Sequence, residues 1–421
     1  MAEYAVQSNY IRGLSKKQYE ILRELCSYSN NLYNVGLYNI RQHFFAEKKF
    51  LNYESAYHIA KENENYGMLQ AGIAQQTLRV VDRSFKSFFN LLKKCKQGEY
   101  RYQQVKIPHY RKKGGLFNLV MSTNAITIRD GYIQIPVSHK FKTKHPDMKP
   151  IRIRFPKRLE GKTIKEVRVI PYHNGKYFKI QYVYEIEQEY LNLDTDNMLA
   201  IDIGVDNFAA CISTEGTSFL VDGRKLKSIN HQYNKELARL KQIASLQGYK
   251  TTHRIQKITD KRNRRVSDYI KKTARYIVNY CIENNIGTLI VGYNLDLKQG
   301  IRLGKENNQN FVQIPFGDLR QQLEFLSWKY GMEYIEQEES YTSKSSFLDN
   351  DVLPVYKAEQ PYQGRFSGKR VHRGLYKSKN GTLLNADLNG AANIMRKCKQ
   401  NLENKRLYKG LLASPRRIVL C

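Results

Sequence analysis

The sequence predicts an α+β protein of several domains, and three patterns along its 421 residues point to this class. Apolar residues recur at three- and four-residue steps in 15–48 and 69–96, which is typical of amphipathic helices. Apolar and polar residues alternate through 100–190 between turn-forming pairs, which is typical of β-hairpins. From residue 198 onward, strand and helix patterns follow one another, which favours a mixed sheet covered by helices.

The first half of the chain is predicted to contain a helical lobe and a β-rich region. The helical lobe covers residues 15–99, with Ser15 as its first N-cap. Residues 1–14 and 100–195 are predicted to form a small barrel or sandwich, in which Lys and Arg alternate with Tyr and Phe. A basic sheet carrying aromatic rings suits a phosphate backbone with stacked bases, although half-buried tyrosines in an ordinary sheet would give the same pattern.

Positive charge is concentrated rather than spread along the chain. The net charge is +31, and two stretches hold most of it. Residues 101–180 contain 19 Lys and Arg against 4 Asp and Glu, and residues 224–276 contain 16 against 3. Such an excess indicates a polyanionic partner, most simply nucleic acid, whereas a secreted basic protein or a membrane-surface binder is the plainer alternative. The candidate nucleic-acid contacts are Arg111, Lys112, Lys113, Arg152, Arg154, Lys225, Lys227, Arg239, Arg262, Arg264, Arg265, Arg370 and Arg373.

Targeting signals and cysteine patterns favour an intracellular protein. The opening residues "MAEYAVQSNYIRG" lack the apolar core of a signal peptide, and no run of 18 apolar residues predicts a membrane span. The six cysteines are scattered without a CxxC pair, so neither a disulfide framework nor a cysteine zinc site is expected.

Four acidic residues stand where elements of the second half are predicted to begin or end. Asp202 ends an apolar strand, Glu338 and Glu339 end another, and Asp387 heads the helix in "NADLNGAANIMRK". Carboxylates brought together repel, and two Mg²⁺ ions would neutralise them and act on a phosphodiester. This is the arrangement of the RNase H-like nuclease fold. Taken singly, Asp387 could be a helix N-cap, Glu338 and Glu339 surface acids, and Asp202 a turn residue.

Four motifs resemble the RuvC-like half of transposon-encoded TnpB proteins, which are relatives of compact type V CRISPR effectors and of Fanzor proteins. They are "AIDIGVDNFAAC", "EESYTSKSSFLD", "SGKRVHRGLYKSKNG" and "NADLNGAANIMRK", and the similarity covers about 198–397. The N-terminal half resembles that family in layout, with a helical recognition lobe and a wedge-like β-barrel. The resemblance implies a RuvC-like nuclease domain over 196–421, with basic helices about 224–285.

The resemblance also implies RNA-guided DNA cleavage with Mg²⁺. The partners would be a guide RNA and target double-stranded DNA next to a short flanking motif, with no membrane partner. The location would be the prokaryotic cytoplasm, in association with the nucleoid. The oligomeric state is left open.

Two departures from the family pattern concern the metal ligands. Most members carry the middle catalytic Glu after the strand that corresponds to "TLIVGYN", where this chain has Gly292, Tyr293 and Asn294. Some relatives place it just before the "YTSK"-like segment, which corresponds to Glu339, with Glu338 as the fallback since alternation points the two to opposite faces. Asp296 is a weaker candidate.

The second departure is in the insert, about 345–384, where the family often has two CxxC pairs. Here Ser346, Asp349, Lys377 and Asn380 stand at those positions, so we expect no zinc. The insert keeps basic residues and could contact nucleic acid, or it could be a flexible surface loop.

The predicted function is therefore an RNA-guided DNA endonuclease in which Asp202, Glu339 and Asp387 bind two Mg²⁺ ions. A catalytically silent, RNA-guided DNA-binding repressor of the same fold is the main alternative. A DNA-joining transposase would use the acids without RNA, and an RNA chaperone would need none of them.

Overall fold

The computed structural model describes residues 3–293, 313–356, 362–372, 374–399 and 405–420. The chain divides into two compact units, Met1–Glu187 and Gln188–Cys421. Both units combine helices with sheets, so the predicted multidomain mixture of α and β structure is confirmed. No helix in the described ranges has the length and apolar character needed to cross a membrane.

The first unit contains five helices and seven strands among its described residues. The helices are α1 (Lys16–Glu47), α2 (Tyr53–Ala60), α3 (Glu64–Met68), α4 (Ala71–Lys96) and α5 (His139–Lys144). The strands are β1 (Glu3–Tyr10), β2 (Leu119–Ser122), β3 (Thr127–Arg129), β4 (Tyr132–Gln134), β5 (Arg152–Arg154), β6 (Ile164–Tyr172) and β7 (Tyr177–Ile186).

Helix α1 begins where the sequence predicts. The Ser15 side chain accepts a hydrogen bond from the Gln18 backbone N–H, and the Gln18 side chain accepts one from the Ser15 N–H, which completes a capping box. Gly36 allows α1 to approach α4 closely, because a Cβ there would lie 2.8 Å from Leu78 Cδ2. The apolar faces of these helices share one buried core with the sheets of the same unit.

The strands of the first unit form two antiparallel sheets. One has the order β1-β7-β6-β2, and the other has the order β3-β4-β5. The predicted hairpins are confirmed: Asp130-Gly131 and Asn174-Gly175 have positive φ angles at the turns that join β3 to β4 and β6 to β7. The N-terminal strand β1 pairs along its whole length with β7.

The second unit is built on a six-stranded mixed sheet. The strands of this unit, in both its sheets, are β8 (Asp194–Asp202), β9 (Asn207–Ser213), β10 (Ser218–Asp222), β11 (Ile286–Tyr293), β12 (Glu333–Glu338), β13 (Lys369–His372), β14 (Leu375–Lys377), β15 (Leu383–Asn385) and β16 (Arg416–Ile418). Its helices are α6 (Arg224–Leu246), α7 (His253–Glu283), α8 (Phe316–Lys329), α9 (Ala386–Cys398) and α10 (Lys405–Leu412). The large sheet has the order β12-β11-β8-β9-β10-β16, and β13-β14-β15 form a small sheet in the insert.

Helices cover both faces of the large sheet. On β8, Leu199 and Ile201 point into the core shared with α6, α7 and α8, whereas Met198 and Ala200 point into the core shared with α9 and α10. Strands β8, β11 and β12 are parallel neighbours, so their carboxyl ends lie along one edge of the sheet. That edge brings the predicted acids together.

Candidate active site

Asp202 is the last residue of β8, at the centre of the sheet edge. In the register of β11 with β8, Val291 lies opposite Ile201, so Gly292 comes next to Asp202. Strand β12 lies on the other side of β11, and Glu339 follows its last residue. A Cβ on Gly292 would lie 2.8 Å from Glu339 Oε2, so the Glu339 carboxylate lies against β11 at a strand position that has no side chain.

The neighbouring Glu338 is used differently. Its carboxylate accepts hydrogen bonds from Lys397 Nζ and from the backbone and side chain of Ser340. Burial alone would raise the pKa of Glu338, but these hydrogen bonds and the Lys397 charge outweigh it and lower the pKa. Glu338 is therefore neutralised by Lys397, and Glu339 is the glutamate on the Asp202 side.

Asp387 lies in the first turn of α9 but does not cap the helix. The cap is Asn385, whose Oδ1 accepts hydrogen bonds from the backbone N–H groups of Asp387 and Leu388. The alternative of an N-cap role for Asp387 is therefore wrong. Its carboxylate instead accepts hydrogen bonds from Asn207 Nδ2 at 2.7 Å and from Arg370 Nη2 at 3.0 Å.

The three carboxylates form one electrostatic group. Burial, followed by the negative charges of Glu339 and Asp387, raises the pKa of Asp202 well above its usual range, and Arg370 opposes this. Burial, followed by the charge of Glu338, raises the pKa of Glu339 to about 7. Neither the Asp202 carboxylate nor the Glu339 carboxylate accepts a hydrogen bond from the part of the chain that the structure describes. Two partly buried carboxylates thus lack a donor or a paired cation of their own.

The donor set fits a hard divalent cation. Carboxylate oxygens without competing hydrogen bonds are the ligands that Mg²⁺ prefers. In the described ranges, however, no three His, Cys, Asp or Glu side chains are already gathered around one point as a metal site requires. Arg370 engages one oxygen of Asp387. The weaker candidate Asp296 lies outside the described residues.

Two asparagines link α9, the helix that carries Asp387, to the chain segment that follows Glu339. Asn389 donates to the Ser345 carbonyl and accepts from the Phe347 N–H, and Asn393 donates to the carbonyls of Thr342 and Ser345. These bonds fasten the segment after Glu339 to the helix that carries Asp387. The prediction missed both residues, although two asparagines inside an otherwise apolar helix were a visible signal.

Hydrogen bonds join the two segments of the insert at the positions where CxxC pairs were considered from the sequence. Asp349 Oδ2 accepts from Ser346 Oγ at 2.6 Å and from the Lys379 N–H at 2.8 Å, so this carboxylate links 346–349 to 377–380. Asp351 similarly accepts from the Ser346 N–H at 2.8 Å and from Ser367 Oγ at 2.6 Å. This part of the insert is therefore held by carboxylate-centred hydrogen bonds between its two segments.

A basic cavity of about 940 Å³ opens beside Asp387, which is the size of a ligand site. Its lining residues are Gly204, Val205, Asp206, Asn207, Arg224, Lys227, Arg370, His372, Gly374, Asp387 and Arg417. Of the predicted nucleic-acid contacts, Lys227 and Arg370 line it. Arg373 lies outside the described residues.

The other predicted contacts differ in how far they are free for a partner. Arg262 donates to Asn230 Oδ1 and to the Gln313 carbonyl, and Lys225 donates to the Leu420 carbonyl, so both are engaged inside the second unit. Arg239 pairs with Glu236, and Arg111 stacks on Phe117. The remaining predicted contacts have exposed side chains: Lys112, Lys113, Arg152, Arg154, Arg264 and Arg265, of which Arg264 also interacts within the chain.

Comparison with known proteins gives matches along most of the chain. Residues 181–298 match a family described as a probable transposase (OrfB_IS605), and residues 316–394 match the Cas12f1-like TNB domain. The TnpB-like protein ORF457 of Acidianus two-tailed virus is 24% identical over 405 residues, which cover 89% of this chain and 83% of that protein. The CRISPR-associated endodeoxyribonuclease Cas12f2 of Micrarchaeota archaeon (strain CG1_02_47_40) is 28% identical over 238 residues, which cover 55% of this chain and 42% of that protein.

Among solved structures, the chain is similar to the protein in a cryo-EM structure of a Cas12f1–sgRNA–target DNA complex. The TM-score is 0.57 at 16% identity, with 90% of this chain and 83% of that chain covered, so the similarity establishes a shared fold. Fold and site define a multidomain α/β protein with an acidic centre at a sheet edge. The sequence matches go further: the chain is a TnpB-type relative of the compact type V effectors.

Proposed function

We propose that this protein is an RNA-guided DNA endonuclease. The observation that carries the proposal is that Asp202, Glu339 and Asp387 lie near one edge of the large sheet, and that no described residue donates a hydrogen bond to, or forms an ion pair with, the carboxylates of the first two. The order β12-β11-β8-β9-β10, in which only β9 runs against its neighbours, supports an RNase H-like, RuvC-type assignment for this unit. The relatives and the basic cavity beside Asp387 support nucleic acid as the substrate.

The three carboxylates would hold two Mg²⁺ ions, which supply charge stabilisation and water activation for phosphodiester hydrolysis. Asp202 and Glu339 have to lose their protons to bind cations, and their raised pKa values make that binding dependent on pH. Asn207 fixes the orientation of Asp387 by donating to its Oδ2. Arg370 is positioned to move from Asp387 Oδ1 to a phosphate oxygen of the substrate, since guanidinium binds both groups in the same way.

The guide RNA and the target DNA are the proposed partners. The Cas12f1 structure that shares this fold is a complex with sgRNA and target DNA. In such systems the protein holds the heteroduplex by shape and charge, while base pairing reads the sequence and the protein reads a short flanking motif. The exposed Lys112, Lys113 and Arg154 of the first unit and Arg265 of the second are candidate backbone contacts.

The test is to purify the protein, sequence the RNA that copurifies with it, and assay a DNA target that matches the guide segment in Mg²⁺. We expect one RNA species with a defined guide segment and cleavage of the matched target alone. The Asp202→Ala protein should bind the same target with unchanged affinity and leave it intact. Equal cutting by the variant and the parent would contradict the assignment, and guided binding without cutting by the parent would favour the silent repressor.

A further inference from the structure

Asn207 holds a central position next to Asp387. It is the first residue of β9, it is buried, and its Nδ2 donates to Asp387 Oδ2 at 2.7 Å. A side-chain amide can rotate so that its oxygen and nitrogen exchange places. In the rotated amide, the oxygen would face the Asp387 carboxylate and repel it. The hydrogen bond to Asp387 therefore depends on a contact that holds the Asn207 amide in its present orientation.

Arg417 provides that restraint. Its Nη1 donates to Asn207 Oδ1 at 3.0 Å, so the acceptor side of the amide is occupied by a cation and the donor side has to face Asp387. The same Nη1 donates to Asp222 Oδ1 at 3.1 Å, and Asp222 is 5% exposed. The buried Asp222 thus anchors Arg417, which orients Asn207, which in turn orients Asp387.

Backbone pairing keeps these residues in line. Strand β16 runs parallel to β10 with Arg417 opposite Leu220, and Asp222 of β10 lies opposite Asn207 of β9. Three neighbouring strands therefore each contribute one side chain to the hydrogen-bonded series Asp222–Arg417–Asn207. Strand β16 lies beyond 316–394, the last segment that matches a family.

We propose that Arg417 is a positioning residue for the cation-binding carboxylate of Asp387 and that it acts through Asn207. The proposal rests on the proposed function, because it assigns Arg417 a part in the same site. Displacement of a reacting group by about 1 Å can lower a rate about 100-fold, so a freely rotating amide at 207 is expected to matter.

The first experiment measures guided cleavage and Mn²⁺ binding in Arg417→Met, which keeps an unbranched apolar side chain and removes the donors. We expect the cleavage rate to fall about tenfold or more at unchanged target affinity, and Arg417→Lys to recover part of the rate. Mn²⁺ binding to the RNA-free protein, measured by electron paramagnetic resonance, should weaken in parallel. The adjacent Arg416→Met is the matched control, since Arg416 is exposed on the same strand, and its cleavage rate should equal that of the parent.

The second experiment is a double-mutant cycle with Asn207→Ala. If Arg417 acts through Asn207, then Arg417→Met causes no further loss in the Asn207→Ala background. Losses that multiply would overturn the proposal and indicate a direct contact with DNA. Unchanged Mn²⁺ affinity in Arg417→Met would overturn it as well, and because that titration needs no target it remains decisive even if the parent does not cut DNA.

Discussion

Gly292 lies in β11 and Glu339 directly follows the neighbouring strand β12, and the missing side chain of Gly292 makes room for the Glu339 carboxylate. A Cβ at residue 292 would also lie 2.6 Å from Ile394 Cδ1, so the strand position is enclosed by α9 as well as by Glu339. The same applies to Gly390 of α9, where a Cβ would lie 2.4 Å from Asp202 Oδ2. Two glycines thus border the acidic centre, and each keeps a carboxylate in its place.

Replacing the two glutamates in turn separates their roles. We expect Glu339→Gln to abolish guided cleavage, because it removes a cation ligand, and to leave target binding intact. Glu338→Gln should keep most of the activity, since its carboxylate already pairs with Lys397. Cleavage rates of the two variants in Mg²⁺ decide the matter, and the reverse result would move the ligand to Glu338.

Gly292→Ala tests the fit of Glu339 without altering any acid. The added methyl group would overlap Glu339 Oε2, so we expect cleavage to fall about tenfold or more while the protein still binds its target. Gly317→Ala in α8 is the matched control, because nothing lies within 4 Å of its Cβ position and alanine favours helix. Single-turnover rates that are equal in Gly292→Ala and Gly317→Ala would show that Glu339 does not need this space.

At the scale of elements, α9 organises the site. Its first turn carries Asp387, its middle approaches Asp202 through Gly390, and its buried Asn389 and Asn393 hold the chain that follows Glu339. The helix therefore contacts Asp202 and the segment that follows Glu339, and it carries Asp387 itself. This is a structural reason for the insert to be held together firmly.

Asp349→Ala tests whether hydrogen bonds hold the insert. Removal of the carboxylate leaves Ser346 Oγ and the Lys379 N–H without their partner, which should lower the free energy of unfolding by about 1–3 kcal/mol. Asn380→Ala, an exposed position at the same turn, should have no effect. Chemical denaturation measures both variants, and elemental analysis should find no stoichiometric zinc in the parent. One zinc per chain, or an unchanged stability in Asp349→Ala, would contradict this view of the insert.

At the scale of the whole molecule, the uncompensated carboxylates link stability to pH. The pKa of Glu339 is about 7 in the folded protein against an ordinary value of 4.5, so the folded state holds a proton that the unfolded state releases between these values. Folding stability in a chelator should therefore fall as the pH rises through this window. Added Mg²⁺ should restore it above pH 7, because the cation binds only the folded site.

Glu339→Gln isolates this effect. The variant should match the parent at pH 5 and exceed it at pH 8 by on the order of 1–3 kcal/mol when no divalent cation is present. Denaturation curves at the two pH values measure the difference. If the parent is as stable as the variant at pH 8, then burial and the charge of Glu338 do not raise the pKa of Glu339.

The main helices, the hairpins and the mixed α and β class could be predicted from the sequence, because they depend on patterns among residues close together in the chain. The long helices and the hairpins have strong periodicity and turn residues, and the acids stand where strands end or, for Asp387, where a helix begins. Strands β10 and β16 were missed, since Ser218–Asp222 and Arg416–Ile418 are too short for a periodic pattern. Asn207 and Arg417 were missed for a related reason, because their roles arise from pairing between residues 210 positions apart.

The central claim is that Asp202, Glu339 and Asp387 serve as one divalent-cation site. The most direct measurement is anomalous diffraction from crystals of the parent protein in complex with its guide RNA and target DNA, soaked in Mn²⁺. We predict anomalous peaks within coordination distance of all three carboxylates, and their loss in crystals of Glu339→Gln. Peaks that touch none of these residues, with the target strand cut in the same crystals, would contradict the account.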